Sequence, residues 1–89
     1  MKRTSFGFKE EFLFENQRVE YLEFQKEGRP HRHDEVEVFK VLEGAGKLNI
    51  DNEEIDLLEG DVRSIPRNRS HYMEPLAGGR LKLLVFYKT

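Results

Sequence analysis

The stretch that decides the fold is "GRPHRHDEVEVFKVLEG", residues 28–44. His31 and His33 are separated by one residue, and Glu37 follows four positions later in an apolar run that stops at Gly44. In an extended strand, residues 31, 33, 35 and 37 would point to one face, with successive side chains about 6.5–7 Å apart. The spacing therefore predicts that two imidazoles and one carboxylate converge on one side of a strand.

Those side chains have the chemistry of a transition-metal site. Neutral imidazole nitrogens and a carboxylate oxygen suit Fe, Mn, Ni, Cu or Zn better than Ca. The chain has one further histidine, His71, just past the polar turn "PRNRS". Taken alone, an H-x-H pair also fits exposed histidines on a strand, and His71 fits a surface or hydrogen-bonded residue. Glu35, on the same face, is interpreted as a solvated group or one that supports a ligand.

Length and composition limit the possible classes of protein. Eighty-nine residues form one small domain, which buries only about 60% of its unfolded surface and gains from a metal or a partner subunit. There is no cysteine, so any metal must be held by nitrogen and oxygen. The net charge of −2 gives no electrostatic basis for binding nucleic acid or an anionic membrane. The start has no apolar signal core, and we expect a soluble, cytoplasmic protein.

The chain reads as short strands separated by turn residues, which is typical of an all-β sandwich or barrel. Residues 9–22, "KEEFLFENQRVEYL", also have some helical periodicity, so a short helix there is an alternative. Everything after Gly28 is predicted to be strand. The closing residues 78–88, "GGRLKLLVFYK", have apolar residues at both odd and even positions, as in a strand covered on both faces.

Two segments carry a family resemblance at fixed spacing. The first reads G-x2-H-x-H-x3-E-x6-G, and the second, "GDVRSIPRNRSHYMEP", reads G-x5-P-x4-H with Gly60, Pro66 and His71. Apart from a shorter spacing after the first glycine, the pair is similar to the two motifs of the cupin superfamily, in the usual order, over residues 28–75. Asn68 stands where the family usually has a turn glycine, and asparagine tolerates the left-handed backbone that such a turn needs. Pro75 stands where the second motif usually ends in asparagine.

The resemblance implies a fold and a ligand set. Cupins are small antiparallel jelly-roll β-barrels that hold a divalent metal with three histidines and one glutamate. Carried over position by position, it implies that the metal ligands are His31, His33, Glu37 and His71. It also implies a single cupin domain, 1–89, with amino-terminal strands in 1–27, both motifs in 28–75 and a closing strand in 76–89.

Function is predicted only to the level of a class. Four protein ligands on an octahedral metal leave two positions open, which favours a metal-dependent enzyme, dioxygenase or isomerase-like, acting on a small organic molecule. The alternative is a non-catalytic module that binds a small ligand for sensing or storage. No catalytic residue is identified. Arg63 and Tyr72 are possible substrate-binding residues, with Arg63 suited to an anionic group unless it is solvated on the outer face.

We also expect a homodimer. Four phenylalanines lie near the amino terminus, at positions 6, 8, 12 and 14, and they are interpreted as core or subunit interface. The closing run needs apolar cover on both faces, whereas the interior of one barrel covers only one. A partner packed sheet against sheet, with the amino-terminal strand either crossing over or remaining in its own chain, would supply the second cover.

Overall fold

The computed structural model describes residues 1–88, so Thr89, the last residue of the closing segment, lies outside the described part. These residues form nine strands and no helix. The strands are β1 (Lys2–Arg3), β2 (Gly7–Phe14), β3 (Gln17–Phe24), β4 (Val36–Gly44), β5 (Gly46–Ile50), β6 (Glu53–Leu57), β7 (Val62–Ile65), β8 (His71–Pro75) and β9 (Leu81–Lys88). Within residues 1–88 there is thus no helix that could cross a membrane.

All strand pairs are antiparallel, and they form two sheets. Six strands have the order β1-β2-β3-β9-β4-β7, and three have the order β6-β5-β8. The predicted all-β, antiparallel class is confirmed. Neither sheet closes on itself in the described part of the chain, so the architecture is that of two facing sheets.

The core lies between the two sheets. On β9, Leu81, Leu83 and Val85 are fully buried and face inward. They belong to one cluster with Leu48 and Met73 of the smaller sheet. Because side chains alternate along a strand, the same parity places Tyr87, two residues beyond Val85, on the inner face as well.

The helical alternative for residues 9–22 is wrong. This segment is the end of β2, a two-residue turn and the start of β3, and Phe12 pairs with Val19 across the hairpin. Glu15 and Asn16 have φ values of 50° and 66°, the left-handed pair that a tight hairpin turn requires. Pairing of β3 with β9, which is distant in sequence, overrides the local helical periodicity.

Gly44, the last residue of the first motif, is required by its surroundings. Its φ is +85°, and a Cβ at this position would lie 1.9 Å from the carbonyl oxygen of Arg80. Only glycine allows β4 to pass so close to the chain that leads into β9. The glycine therefore keeps β4 beside β9, which holds Glu37 next to Tyr87.

Candidate metal centre

The backbone of the first motif is attached to the second motif at two histidines. His31 and His71 form an isolated antiparallel bridge, in which each backbone N–H donates to the other residue's carbonyl, at 3.1 and 2.9 Å. Their ring centroids are 4.4 Å apart. The prediction that residues 31–37 share one continuous strand is wrong, because β4 begins only at Val36. The bridge to β8 brings the rings together instead of the pleat of a single strand.

His33 is positioned by the turn that precedes His71. The backbone N–H of Asn68 donates to the carbonyl of His33 at 2.7 Å, and Asn68 has a φ of 61°. The predicted left-handed asparagine is therefore confirmed. The His33 ring centroid lies 5.1 Å from that of His71 and 5.6 Å from that of His31.

Every one of the three imidazoles has the same hydrogen-bond arrangement. Each Nδ1 contacts a backbone carbonyl two residues away, at 2.8–3.1 Å, and the three oxygens belong to Arg29, Glu35 and Arg69. Since a carbonyl can only accept, Nδ1 must carry the proton. A neutral ring then has its lone pair on Nε2. This is the arrangement in which metal-binding histidines are oriented by their surroundings.

Two of the three Nε2 atoms also lack a hydrogen-bond partner. One ring nitrogen from each histidine lies within 4.8 Å of one from each of the others. Nε2 of His33 and Nε2 of His71 are buried without a hydrogen-bond partner. Leaving a polar atom in that state costs about 1–3 kcal/mol. Burial also lowers the pKa of His71, so its ring is neutral. Buried, unprotonated nitrogens that converge without a donor fit a divalent transition metal.

Glu37 faces the same nitrogens from β4. Its carboxylate oxygens lie 3.7 Å from Nε2 of His33 and 4.0 Å from Nε2 of His71, too far for hydrogen bonds. Only 3% of the residue is exposed, and this burial raises the pKa of Glu37 to about 7, although the nearby Tyr87 hydroxyl acts to lower it. A bound cation would favour the ionised carboxylate and satisfy the nitrogens together with it. The four residues assigned as ligands thus lie side by side.

A cavity of about 520 Å³ opens onto these groups. Beyond the histidines its wall contains the apolar side chains of Leu22, Phe24 and Met73, together with charged residues that include Lys9, Arg18 and Glu20. Phe6 stacks on Phe24 with the ring centroids 4.3 Å apart. Met73 lies two residues beyond His71 on the same face of β8, which places it about 7 Å farther along the strand. The cavity therefore has a polar, nitrogen-rich end and an aromatic end.

The structure adds three residues that the sequence-based site did not include. The Tyr87 hydroxyl donates to a carboxylate oxygen of Glu20, and its ring edge packs against His33 at 5.5 Å between centroids. Burial, and then the charge of Glu37, raises the pKa of Tyr87. The Arg18 guanidinium lies 4.0 Å over the Tyr87 ring. The alternation of side chains along β3 could have identified Glu20 from the sequence, since Glu20 lies on the same inward face as Leu22 and Phe24.

The remaining predicted residues lie as follows. Glu35 pairs with Arg18 at 2.7 Å through its side chain and accepts from His33 through its carbonyl, which matches the interpretation that it supports a ligand. Tyr72 is half-buried and lies in the cavity wall. Arg63 is exposed on the edge strand β7 and does not line the cavity. Tyr72 is thus near the candidate metal ligands, whereas Arg63 is not.

The fold and the site define a class of protein: a small antiparallel β-protein with a histidine-rich candidate metal centre in its interior. The family model described as a cupin domain, Cupin_2, matches residues 18–87. The chain belongs to the cupin family. A curated relative, an uncharacterized protein from Methanocaldococcus jannaschii, is 34% identical over 55 residues, which are 61% of this chain and 44% of the relative. The chain thus spans less than half the length of that relative.

Solved structures share the fold. A protein from Neisseria meningitidis matches with a TM-score of 0.82 at 14% identity, over 97% of this chain and 88% of the other. KdgF from Halomonas sp. matches with a TM-score of 0.74 at 20% identity, over 91% and 77%. A chain from a study of DMSP lyases matches with a TM-score of 0.81 at 24% identity, over 94% and 47%. At these identities the likeness shows the fold.

Proposed function

We propose that this cupin binds a divalent transition metal through His31, His33, Glu37 and His71 and acts as an enzyme on a small organic molecule in the cavity. The observation that carries the proposal is the pair of buried Nε2 atoms, on His33 and His71, that face the Glu37 carboxylate without a hydrogen bond. The metal is one of Fe, Mn, Ni, Cu or Zn, as the nitrogen and oxygen donors favour. When bound, it supplies Lewis acidity and, if it is redox-active, dioxygen chemistry.

The two ends of the cavity support a class of substrate. Oxygen atoms of a carboxylate, diketone or phenol-like group suit the histidine end. An apolar body about 7 Å long suits the aromatic end, against Phe6, Phe24 and Met73. Burial of such a body gives binding energy, while the few polar groups fix its orientation.

The residues around the ligands have separate roles in this proposal. The Tyr87 hydroxyl and the Glu20 carboxylate, which are hydrogen-bonded to each other and line the cavity, orient a polar group of the substrate. Arg18, stacked on Tyr87 and paired with Glu35, holds that tyrosine ring in place. A dioxygenase or isomerase-like reaction is the activity proposed, and ligand binding without turnover is the competing outcome.

The proposal is tested on protein purified without added metal. Elemental analysis identifies the bound ion, and the metal-free protein is then titrated with each of the five metals. His33→Ala should abolish tight binding, whereas Glu35→Ala, which retains the backbone carbonyl that accepts from His33, should preserve it. A more damaging Glu35→Ala change would contradict the assigned ligands.

Activity is tested separately from binding. Metal-loaded protein is incubated with a panel of small organic acids, diketones and phenols, and dioxygen uptake and products are measured. Turnover that is lost in His33→Ala supports an enzyme. Ligand-dependent stabilisation without product, across the whole panel, would instead indicate a binding module.

A further inference from the structure

The aromatic end of the cavity is formed in part by the turn that joins β1 to β2. Ser5 and Phe6 of this turn line the cavity, and the Phe6 ring lies nearly parallel to that of Phe24, at an interplanar angle of 22°. On β3, Phe24 lies four residues from Glu20 on the same face, or about 13 Å along the strand. The Phe6 ring thus borders the cavity at the end away from Glu20 and its partner Tyr87.

The backbone of Phe6 is held on both sides. The Thr4 N–H donates to the carbonyl of Gly7 at 2.8 Å, and the Thr4 hydroxyl accepts from the Gly7 N–H at 3.0 Å. The Phe6 carbonyl accepts from the N–H of Gln25 at 2.8 Å. A Cβ on Gly7 would lie 2.1 Å from the carbonyl oxygen of Glu23, so the turn packs directly against β3. These contacts use main-chain atoms of Phe6 and none of its ring.

The side chain of Phe6 is less constrained than its backbone. Phe6 is half-buried and packs at the margin of the hydrophobic core, whereas Phe24 is 5% exposed and belongs to that core. A change of side chain at Phe6 therefore alters the cavity wall while the turn and the core residues keep their places. Phe24 does not offer this freedom, because its truncation would leave a void inside the core.

We infer that Phe6 determines specificity, by setting the size of the largest apolar group that the cavity accepts. The inference rests on the proposed function and narrows its substrate class to organic acids whose apolar body ends against the Phe6 ring. Methylene groups that lie between the histidines and this ring are removed from water, so each of them adds affinity. A longer body would have to displace the ring from its stack on Phe24.

A series of straight-chain carboxylic acids tests the inference. The acids are titrated calorimetrically into protein loaded with Zn²⁺, a metal without redox chemistry. In wild type, affinity should rise about fourfold for each added methylene and then level off at a length limit. Phe6→Ala should move this length limit by about two to three carbons, because the space left by a truncated large apolar residue can accept a benzene ring.

Two variants serve as controls. Phe8 is a second partly buried phenylalanine on the same strand pair, but it pairs with Glu23 on the opposite face of the sheet, where the Arg3 guanidinium lies 5.3 Å from its ring. Phe8→Ala should leave the length limit unchanged. Phe6→Leu retains an apolar contact with Phe24 and should have an intermediate limit, which decides the question if Phe6→Ala does not fold. Circular dichroism verifies the folding of each variant.

A second probe separates this inference from the proposed metal function. Benzene has no group that binds a metal, and it is titrated into the metal-free proteins. Its affinity should be about tenfold higher for Phe6→Ala than for wild type or Phe8→Ala. If benzene shows this gain but no acid binds the Zn²⁺-loaded protein, the proposed function is wrong while Phe6 still limits the cavity. Wild-type benzene affinity in Phe6→Ala, or a length limit that both Phe6 variants leave unchanged, would overturn the inference.

Discussion

The backbone amide of Asn68 donates a 2.7 Å hydrogen bond to the carbonyl oxygen of His33. This contact joins the turn of the second motif to a candidate ligand of the first. It forms because Asn68 has a left-handed backbone, with a φ of 61°, which turns its N–H toward His33. The conformation of one turn residue thus determines where a candidate metal ligand lies.

Substitution of Asn68 tests that relationship. Ala and Gly both remove the 3.4 Å contact from the side-chain amide to Asp34, but only alanine resists a positive φ. We expect Asn68→Ala to be about 1 kcal/mol less stable than Asn68→Gly. Metal affinity should fall in the alanine variant and recover in the glycine variant. Urea unfolding and calorimetric titration measure the two quantities, and equal behaviour of the variants would contradict the role of the turn.

Metal removal should destabilise the protein. A metal that binds only the folded state adds about 2.7 kcal/mol at a hundredfold excess over its Kd. For a domain of this size, that energy corresponds to a Tm change of about 10–20 °C. Scanning calorimetry with and without a chelator should reveal the change in wild type. His71→Ala, which lacks a ligand, is the control and should have the same Tm in both conditions.

The stability of the metal-free protein should depend on pH through Glu37. Burial raises the pKa of Glu37 from 4.5 to about 7 in the folded state. A raised folded-state pKa gives stability that is complete below pH 4.5 and is lost as the pH rises through 7. Relative to Glu37→Gln, wild type should lose about 3 kcal/mol between pH 4.5 and pH 8. A difference that stays constant with pH, measured by urea unfolding, would argue against a buried, titrating Glu37.

Metal affinity should change with pH in the opposite direction. A metal must displace the proton from Glu37, and it needs neutral histidines. Below about pH 7 the Kd should therefore rise about tenfold per pH unit from Glu37 alone. Competition with a coloured chelator between pH 5.5 and pH 8 measures this slope. Glu37→Gln should bind more weakly and with a shallower slope, whereas an unchanged slope would exclude the carboxylate as a ligand.

The sequence by itself determined the class of fold and the residues of the candidate site. Parity along each strand predicted which face is apolar, and the motif spacing indicated all four residues that lie together. It also predicted the left-handed turn at Asn68, because few side chains tolerate a positive φ. These are local properties, and each depends on residues close together in the chain.

Only the tertiary structure decided how those residues meet. His31 and His33 precede β4, and their rings are placed by the bridge to His71 and by the Asn68 contact. Tyr87 reaches Glu20, 67 positions away, because β3 and β9 pair in one particular register. A shift of that register by one residue would turn either side chain to the opposite face. Such register is set by the packing of the whole core, which no single segment of sequence encodes.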